Sequence, residues 1–202
     1  YTFAVVPDTQ IAAQRESIGN EVGTYKSFSG MYDWIVANKD SQNIKFVMGL
    51  GDITDADKDW EWERAKAQIA RMDGVVPYSI IRGNHDTDRR WALYATLPNV
   101  ELIGWAEVIK YKKYQFYLSH HPTMTSNLDK APYLKMHLIN LFGHTHQQKM
   151  FYDDTPFMFH VGLDSNGNKP VLLDDAIEIM KQETVKCLEF LDEGPVTIDP
   201  TA

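Results

Sequence analysis

A chain of 202 residues, 44% hydrophobic and 24% charged, has the size and balance of a soluble globular domain, which excludes a disordered tail and a fibrous repeat. Its formal charge of −8 argues against a nucleic-acid coat, which works by neutralising phosphates with Lys and Arg, but does not exclude a small phosphate ester. The single cysteine, Cys187, excludes an intrachain disulfide and a cysteine-based zinc site, so any metal falls to His, Asp, Asn or Gln.

Strand-like and helix-like segments alternate along the chain, the pattern of an α/β layered domain. Tyr1–Val6 reads as a first strand. Phe28, Tyr32, Ile35 and Val36 recur at helical spacing, and Ile44–Leu50 is an apolar run of strand length that ends at Gly51-Asp52. Trp62, Ala65, Ile69 and Met72 form the next helical stripe, Tyr78–Ile81 a buried strand, and Arg89–Thr96 a short helix closed by Pro98. Glu107–Tyr111 and Gln115–Ser119 flank Lys112-Lys113 like a hairpin; Leu138–Phe142, Lys149–Tyr152 and Phe157–Val161 follow as short strands of a second sheet. Ile177, Met180, Cys187, Leu188 and Leu191 mark a closing amphipathic helix, and Gly194-Pro195 opens a tail without periodicity. Residues 1–202 read as a single domain with a C-terminal helix and tail from about residue 175. No run approaches the roughly 20 apolar residues of a membrane span. Tyr1–Asp8 lacks a signal-peptide pattern, and because the chain opens on Tyr1 rather than Met the compartment stays open.

The polar residues of interest follow the strands. Asp8-Thr9-Gln10 comes after the first, Gly51-Asp52-Ile53-Thr54-Asp55 after the second and Gly83-Asn84-His85-Asp86 after the third. His120-His121-Pro122 comes after Ser119, and Gly143-His144-Thr145-His146 after Phe142. Ligands of open α/β sheets bind outside the carboxyl ends of strands, so these turns are expected to share one crevice. Taken singly, Asp8 and Asp52 read equally well as turn or cap residues, His144 and His146 as an exposed loop, and His120-His121 as a strand terminus. Together they supply imidazoles and hard oxygens that bind Mn, Fe, Zn or Mg without sulfur. Gly-Asn-His-Asp alone would arise by chance about once in a thousand such chains, at ~0.05 per position.

The order Asp-x-Gln, Gly-Asp-x-x-Asp, Gly-Asn-His-Asp, His-x-Pro, Gly-His-x-His resembles the calcineurin-like metallophosphoesterase family over roughly Phe3 to Met180. Pro7–Gln10 and Gly74–Asp86 resemble the branch that opens on Pro-Asp-Thr-Gln. The stretch from His120 to Asp175, with His160-Val161-Gly162-Leu163-Asp164, is more similar to the compact bacterial and phage type. The resemblance implies a four-layer α/β/β/α sandwich of two mixed sheets and two divalent metal ions, Mn, Fe, Zn or Mg. It places one ion on Asp8, Gln10, Asp52 and His146, with Gln10 where most members have His, and the other on Asp52, Asn84, His120 and His144. An amide oxygen is harder and weaker than imidazole, so Gln10 favours Mn or Mg over Zn at the first position. The implied reaction is hydrolysis of a phosphomonoester or phosphodiester by a hydroxide held between the metals. In it His85 protonates the leaving oxygen, Asp55 orients His85, and Asn84 and His121 face the substrate.

Other catalytic signatures are missing: no third glycine for a dinucleotide fingerprint, no phosphate-binding Gly-Lys-Ser/Thr loop, no Gly-x-Ser-x-Gly elbow. Two alternatives stay in view, a catalytically weak binding or scaffold module on the same fold and a metal-dependent nuclease. Trp60, Trp62, Trp91, Tyr94 and Trp105 are expected mainly to pack or cover the core rather than stack on a ligand. Arg82 is available to grip a phosphate, and Arg89 and Arg90 read as a solvated helix face.

Overall fold

A computed structural model describes residues 1–17, 28–125, 137–167 and 169–192. In chain order its elements are β1 (Thr2–Val6), α1 (Gln10–Ser17), α2 (Phe28–Asn38), β2 (Ile44–Gly49), α3 (Asp59–Ile69), β3 (Tyr78–Ile81), α4 (Asp88–Tyr94) and β4 (Val100–Ile103). They continue with β5 (Ala106–Tyr111), β6 (Tyr114–Ser119), β7 (Leu138–Phe142), β8 (Met158–His160), β9 (Val171–Leu172) and α5 (Leu173–Asp192).

The chain is an α/β fold of two mixed sheets. The first runs β4-β3-β2-β1-β9, with the first four strands parallel and β9 antiparallel to β1; the second runs β5-β6-β7-β8, with β5 antiparallel and the rest parallel. Strand side chains alternate in direction, and that period divides the core in two. Ala4, Val6, Val47 and Ile80 face α2 and α3, which present Phe28, Met31, Tyr32 and Ile35 and then Trp62, Ala65 and Ile69 at helical spacing. Val5, Met48 and Ile81 turn the other way, onto Phe116, Leu118, Ile139, Leu141 and Phe159 of the second sheet. Each such side chain withdrawn from water contributes roughly 1.5–3 kcal/mol. Ala176, Ile177 and Met180 bring α5 into the second cluster. The side chains of Cys187, Leu188 and Leu191, and the tail after Gly194, lie outside what is described.

Three elements escape the sequence pattern. β4 and β9 are edge strands of four and two residues, too short for alternation to register, and α1 carries only scattered apolar residues. One expected strand is corrected. Lys149–Tyr152 forms no strand; Phe151 makes an isolated bridge to Phe159 and the chain then turns through a 3-10 segment at Tyr152–Asp154. The hairpin does form, with Tyr111 paired to Tyr114 across Lys112-Lys113. No described helix is long and apolar enough to cross a membrane.

Candidate metal centre

Because β1, β2 and β3 are parallel, the turns carrying Asp8, Asp52 and Asn84 leave the first sheet at one edge. β6, β7 and β8 are likewise parallel and release His120, His144 and His146, and then Asp164, from one edge of the second sheet. The two edges are stitched together: His144 N donates to Asp8 Oδ1 at 2.8 Å and the His120 ring nitrogen Nδ1 to Leu50 O at 2.9 Å, while Gly143 N donates to His120 O at 3.0 Å within the second edge. Within the first sheet, Asp8 N donates to Gly51 O at 3.2 Å and Gln10 N to Asp52 O at 3.0 Å.

The turns are held in strained backbone. Asp8, Asp52, His144 and His146 have φ of 53°, 51°, 67° and 46°, a left-handed conformation that non-glycine residues adopt at a cost and that clusters at functional sites. Two glycines make the close approach feasible. A Cβ on Gly83 would run into the Asp52 carboxylate, and one on Gly143 into that of Asp8. Asp86 locks the junction, accepting from Asp52 N at 3.0 Å, from Gly83 N at 2.8 Å and from the Tyr94 hydroxyl at 2.8 Å.

Two donor sets converge. Asp52 Oδ2 and Asn84 Oδ1 lie 3.1 and 2.9 Å from His120 Nε2, and the His144 ring centroid is 5.1 Å from that of His120. Asp8, Asp52 and His120 offer ligand atoms within 4.8 Å of one another, as do His120, His121 and His144. On the other side, the Gln10 amide, oriented by its hydrogen bonds, donates to Asp52 O at 2.9 Å and Asp8 O at 3.1 Å, which sets its oxygen 3.0 Å from His146 Nε2.

The electrostatics fit a cation. Asp8 is 4% exposed and its Oδ2 has no partner among the described residues; burial pushes its carboxyl up to about 6. A buried carboxylate with one oxygen unserved is costly without a positive charge beside it. For Asp52, burial acts upward but the bond to His120 outweighs it, so the carboxyl sits below its usual range. His120 mirrors this: burial acts downward, and the bond to Asp52 holds the ring above the ordinary imidazole value. Burial, then the neighbouring His120, lowers both His121 and His144, keeping them neutral with lone pairs available to a metal. The donor set is oxygen and imidazole with no sulfur, suited to Mn, Fe, Zn or Mg.

His85 stands beside these residues, its backbone N donating to Asp52 Oδ1 at 2.8 Å. Its Nδ1 is 2.9 Å from the Asp55 carbonyl oxygen and 3.7 Å from the Asp55 carboxylate, so the main chain of Asp55 is the nearer support of the ring. His121 is exposed, with its ring centroid 4.3 Å from that of His144.

The arginines and aromatics do other work. Arg90 is not on a solvated face: it is 0% exposed, donates to Lys58 O at 3.0 Å, pairs with Asp57 at 3.2 Å and lies over the Trp62 ring. Arg89 is exposed and pairs with Asp57 and Asp59. Both therefore clamp the segment after Asp55. Arg82 is engaged by Asp86 O and Asp88 and lies against Trp91 and Trp105. Trp62 and Tyr94 are buried, Trp91 is half-buried, and Trp60 and Trp105 are exposed. Two residues had no role assigned from the sequence. Asp86 sits inside the Gly-Asn-His-Asp string, whereas Asp164, whose Oδ2 is 2.6 Å from His146 Nδ1, carries no local signal of such a contact.

A profile of the calcineurin-like phosphoesterase superfamily domain matches residues 31–165. An uncharacterized Bacillus subtilis protein, YvnB, is 32% identical over 97 residues, covering 46% of this chain. The chain spans only 7% of that protein's length. A solved structure of a protein of unknown function from Aquifex aeolicus aligns with a TM-score of 0.53 at 19% identity, over 88% of this chain and 98% of that one, a likeness of fold. A phosphoesterase from E. coli aligns at a TM-score of 0.45 and 12% identity, over 72% and 70% of the two chains.

Proposed function

The chain belongs to the calcineurin-like phosphoesterase superfamily, and we propose that it is a metal-dependent hydrolase of a small phosphomonoester or phosphodiester. The observation that carries this reading is the meeting of Asp8, its Oδ2 unserved, with Asp52, Asn84, His120 and His144 on one side and the Gln10–His146 pair on the other. Asp8, Gln10, Asp52 and His146 would hold one divalent ion and Asp52, Asn84, His120 and His144 the second, Asp52 serving both sets. The amide oxygen of Gln10 favours Mn at the first position.

When bound, a pair of such ions lowers the pKa of a water and clamps phosphoryl oxygens for in-line attack. The chain's own residues do the rest. His85 donates a proton from Nε2 to the leaving oxygen, its ring held through Nδ1 by the Asp55 carbonyl. Asn84, exposed at the rim, orients a phosphate oxygen, and exposed His121 lines the approach. The glycines facing Asp8 and Asp52 keep the two carboxylates within one buried junction.

The test is hydrolysis of mono- and bis-aryl phosphates by the metal-stripped protein, with and without Mn2+, alongside a His85→Asn variant and elemental analysis of bound metal. Activity is expected only with metal, and the variant should lose about 10²–10⁴-fold in kcat, the contribution of a positioned general acid. Full activity without metal, or an unimpaired variant, overturns the mechanism.

A further inference from the structure

The first ligand set contains one imidazole, His146, and a weak amide, so its grip depends on how that ring is held. His146 leaves β7 in a left-handed turn, and its two nitrogens have distinct partners: Nε2 faces the Gln10 oxygen at 3.0 Å and Nδ1 faces Asp164 Oδ2 at 2.6 Å. Nε2 donates to the Gln10 oxygen, and a carboxylate on Nδ1 keeps the second nitrogen protonated, so the proton a metal displaces is the one on Nε2, whose lone pair then serves the ion.

Asp164 is presented by a turn that is itself fastened from three sides. The His160 ring is fully buried, with Nδ1 2.9 Å from Ser165 Oγ. Asn166 Nδ2 donates to His160 O at 3.0 Å and Gly162 O at 2.9 Å. Leu163, immediately before Asp164, is buried in the cluster between the first sheet and its helices. Ser165 Oγ and the Asn166 amide hold the turn closed, while the Asp164 carboxylate reaches out to His146.

Building on the proposed function, we propose that Asp164 is a positioning residue for His146: the buried 160–166 turn holds its carboxylate on Nδ1, fixes the tautomer that aims Nε2 at the first metal position, and sets the affinity of that position. The half-exposed pair adds little to fold stability as an ion pair. Its effect is therefore expected in metal affinity and ring geometry rather than in unfolding.

The experiment titrates Mn2+ into the metal-stripped wild-type protein, Asp164→Ala and Asp164→Asn, followed by calorimetry. Long-range proton–nitrogen NMR reads the hydrogen-bonded His146 Nδ1 proton before metal is added. Wild type is expected to bind two ions with His146 protonated on Nδ1. Asp164→Ala should bind the first-position ion roughly 10–100-fold more weakly, with the other unchanged, and should lose the protected Nδ1 proton signal. Asp164→Asn, which keeps an acceptor oxygen, should fall between, and the unfolding midpoint of all three metal-free proteins should agree. Two unchanged Mn2+ affinities in Asp164→Ala, or an unchanged Nδ1 proton signal, overturn this inference and leave the proposed function standing. Wild type that binds no Mn2+ overturns both.

Discussion

The two sheet edges that meet at the candidate centre are built differently. The first supplies oxygens, and its carboxylates are buried, Asp8 to 4% and Asp52 to 1% exposure, each accepting a main-chain N–H from a neighbouring turn. The second supplies imidazoles, of which only His120 is buried, while His144 is half-buried and His121 and His146 are exposed. Burial acts on the two sides in opposite senses. It raises Asp8 to about 6 and lowers His160, deep behind the second edge, to about 4. The oxygen edge thus holds desolvated negative charge that calls for a cation, and His121 and His144 of the imidazole edge stay neutral and offer lone pairs to it. Neither edge alone offers the full candidate donor set.

Removing Asp52, the carboxylate proposed to serve both ions, breaks the comparison most severely. Asp52→Ala should abolish binding of both ions by elemental analysis and lower kcat/KM for an aryl phosphate by more than about 10³-fold, beyond the loss of a single electrostatic contact. Retention of one tightly held ion would show that the edges assemble their sites independently.

The imidazole edge is probed by pH. His160 has a folded pKa depressed from 6.5 to about 4, so its neutral ring contributes stability above about pH 6.5 that is lost as pH falls toward 4. The loss is about 3 kcal/mol at order of magnitude. Because the raised Asp8 carboxyl gains stability over the same fall in pH, the decline is read as the difference in urea unfolding between metal-free wild type and His160→Gln at pH 7, 5 and 4. An equal slope in the variant would place the pH dependence elsewhere.

The smallest expected effect sharpens the contrast at its seam. Gln10→His replaces the amide with an imidazole and should tighten Zn2+ binding at the first position about tenfold, ~1.4 kcal/mol. Because Gln10 Nε2 also ties two main-chain carbonyls, an unchanged or weaker Zn2+ affinity would show that this anchoring outweighs ligand softness.

Much of this architecture was legible in the residues because local physics writes it there. Apolar runs of strand length at Ile44 and Leu138, and helical stripes at Phe28 and Trp62, reflect burial periods each segment carries alone. The edge strands β4 and β9 were not legible, since a short strand at a sheet margin is defined by its partner. Arg90 was misread for a related reason: a charged side chain on a short helix reads as solvated until Asp57, Lys58 O and Trp62, some thirty residues away, enclose it.

By itself the sequence determined which chemistry is available: carboxylates, amides and imidazoles placed just after strands, without thiolates, and so a site for hard or borderline cations. Tertiary structure alone decided which of these groups meet. Gln10 and His146 are 136 residues apart and Asp164 lies 18 residues beyond His146; nothing in either neighbourhood encodes the contact. Their distances follow from how two sheets pack through a shared apolar core. Packing also decides which atoms lose water, so whether Asp8 is an ordinary turn carboxylate or a buried charge in need of a metal is a property of the assembled fold.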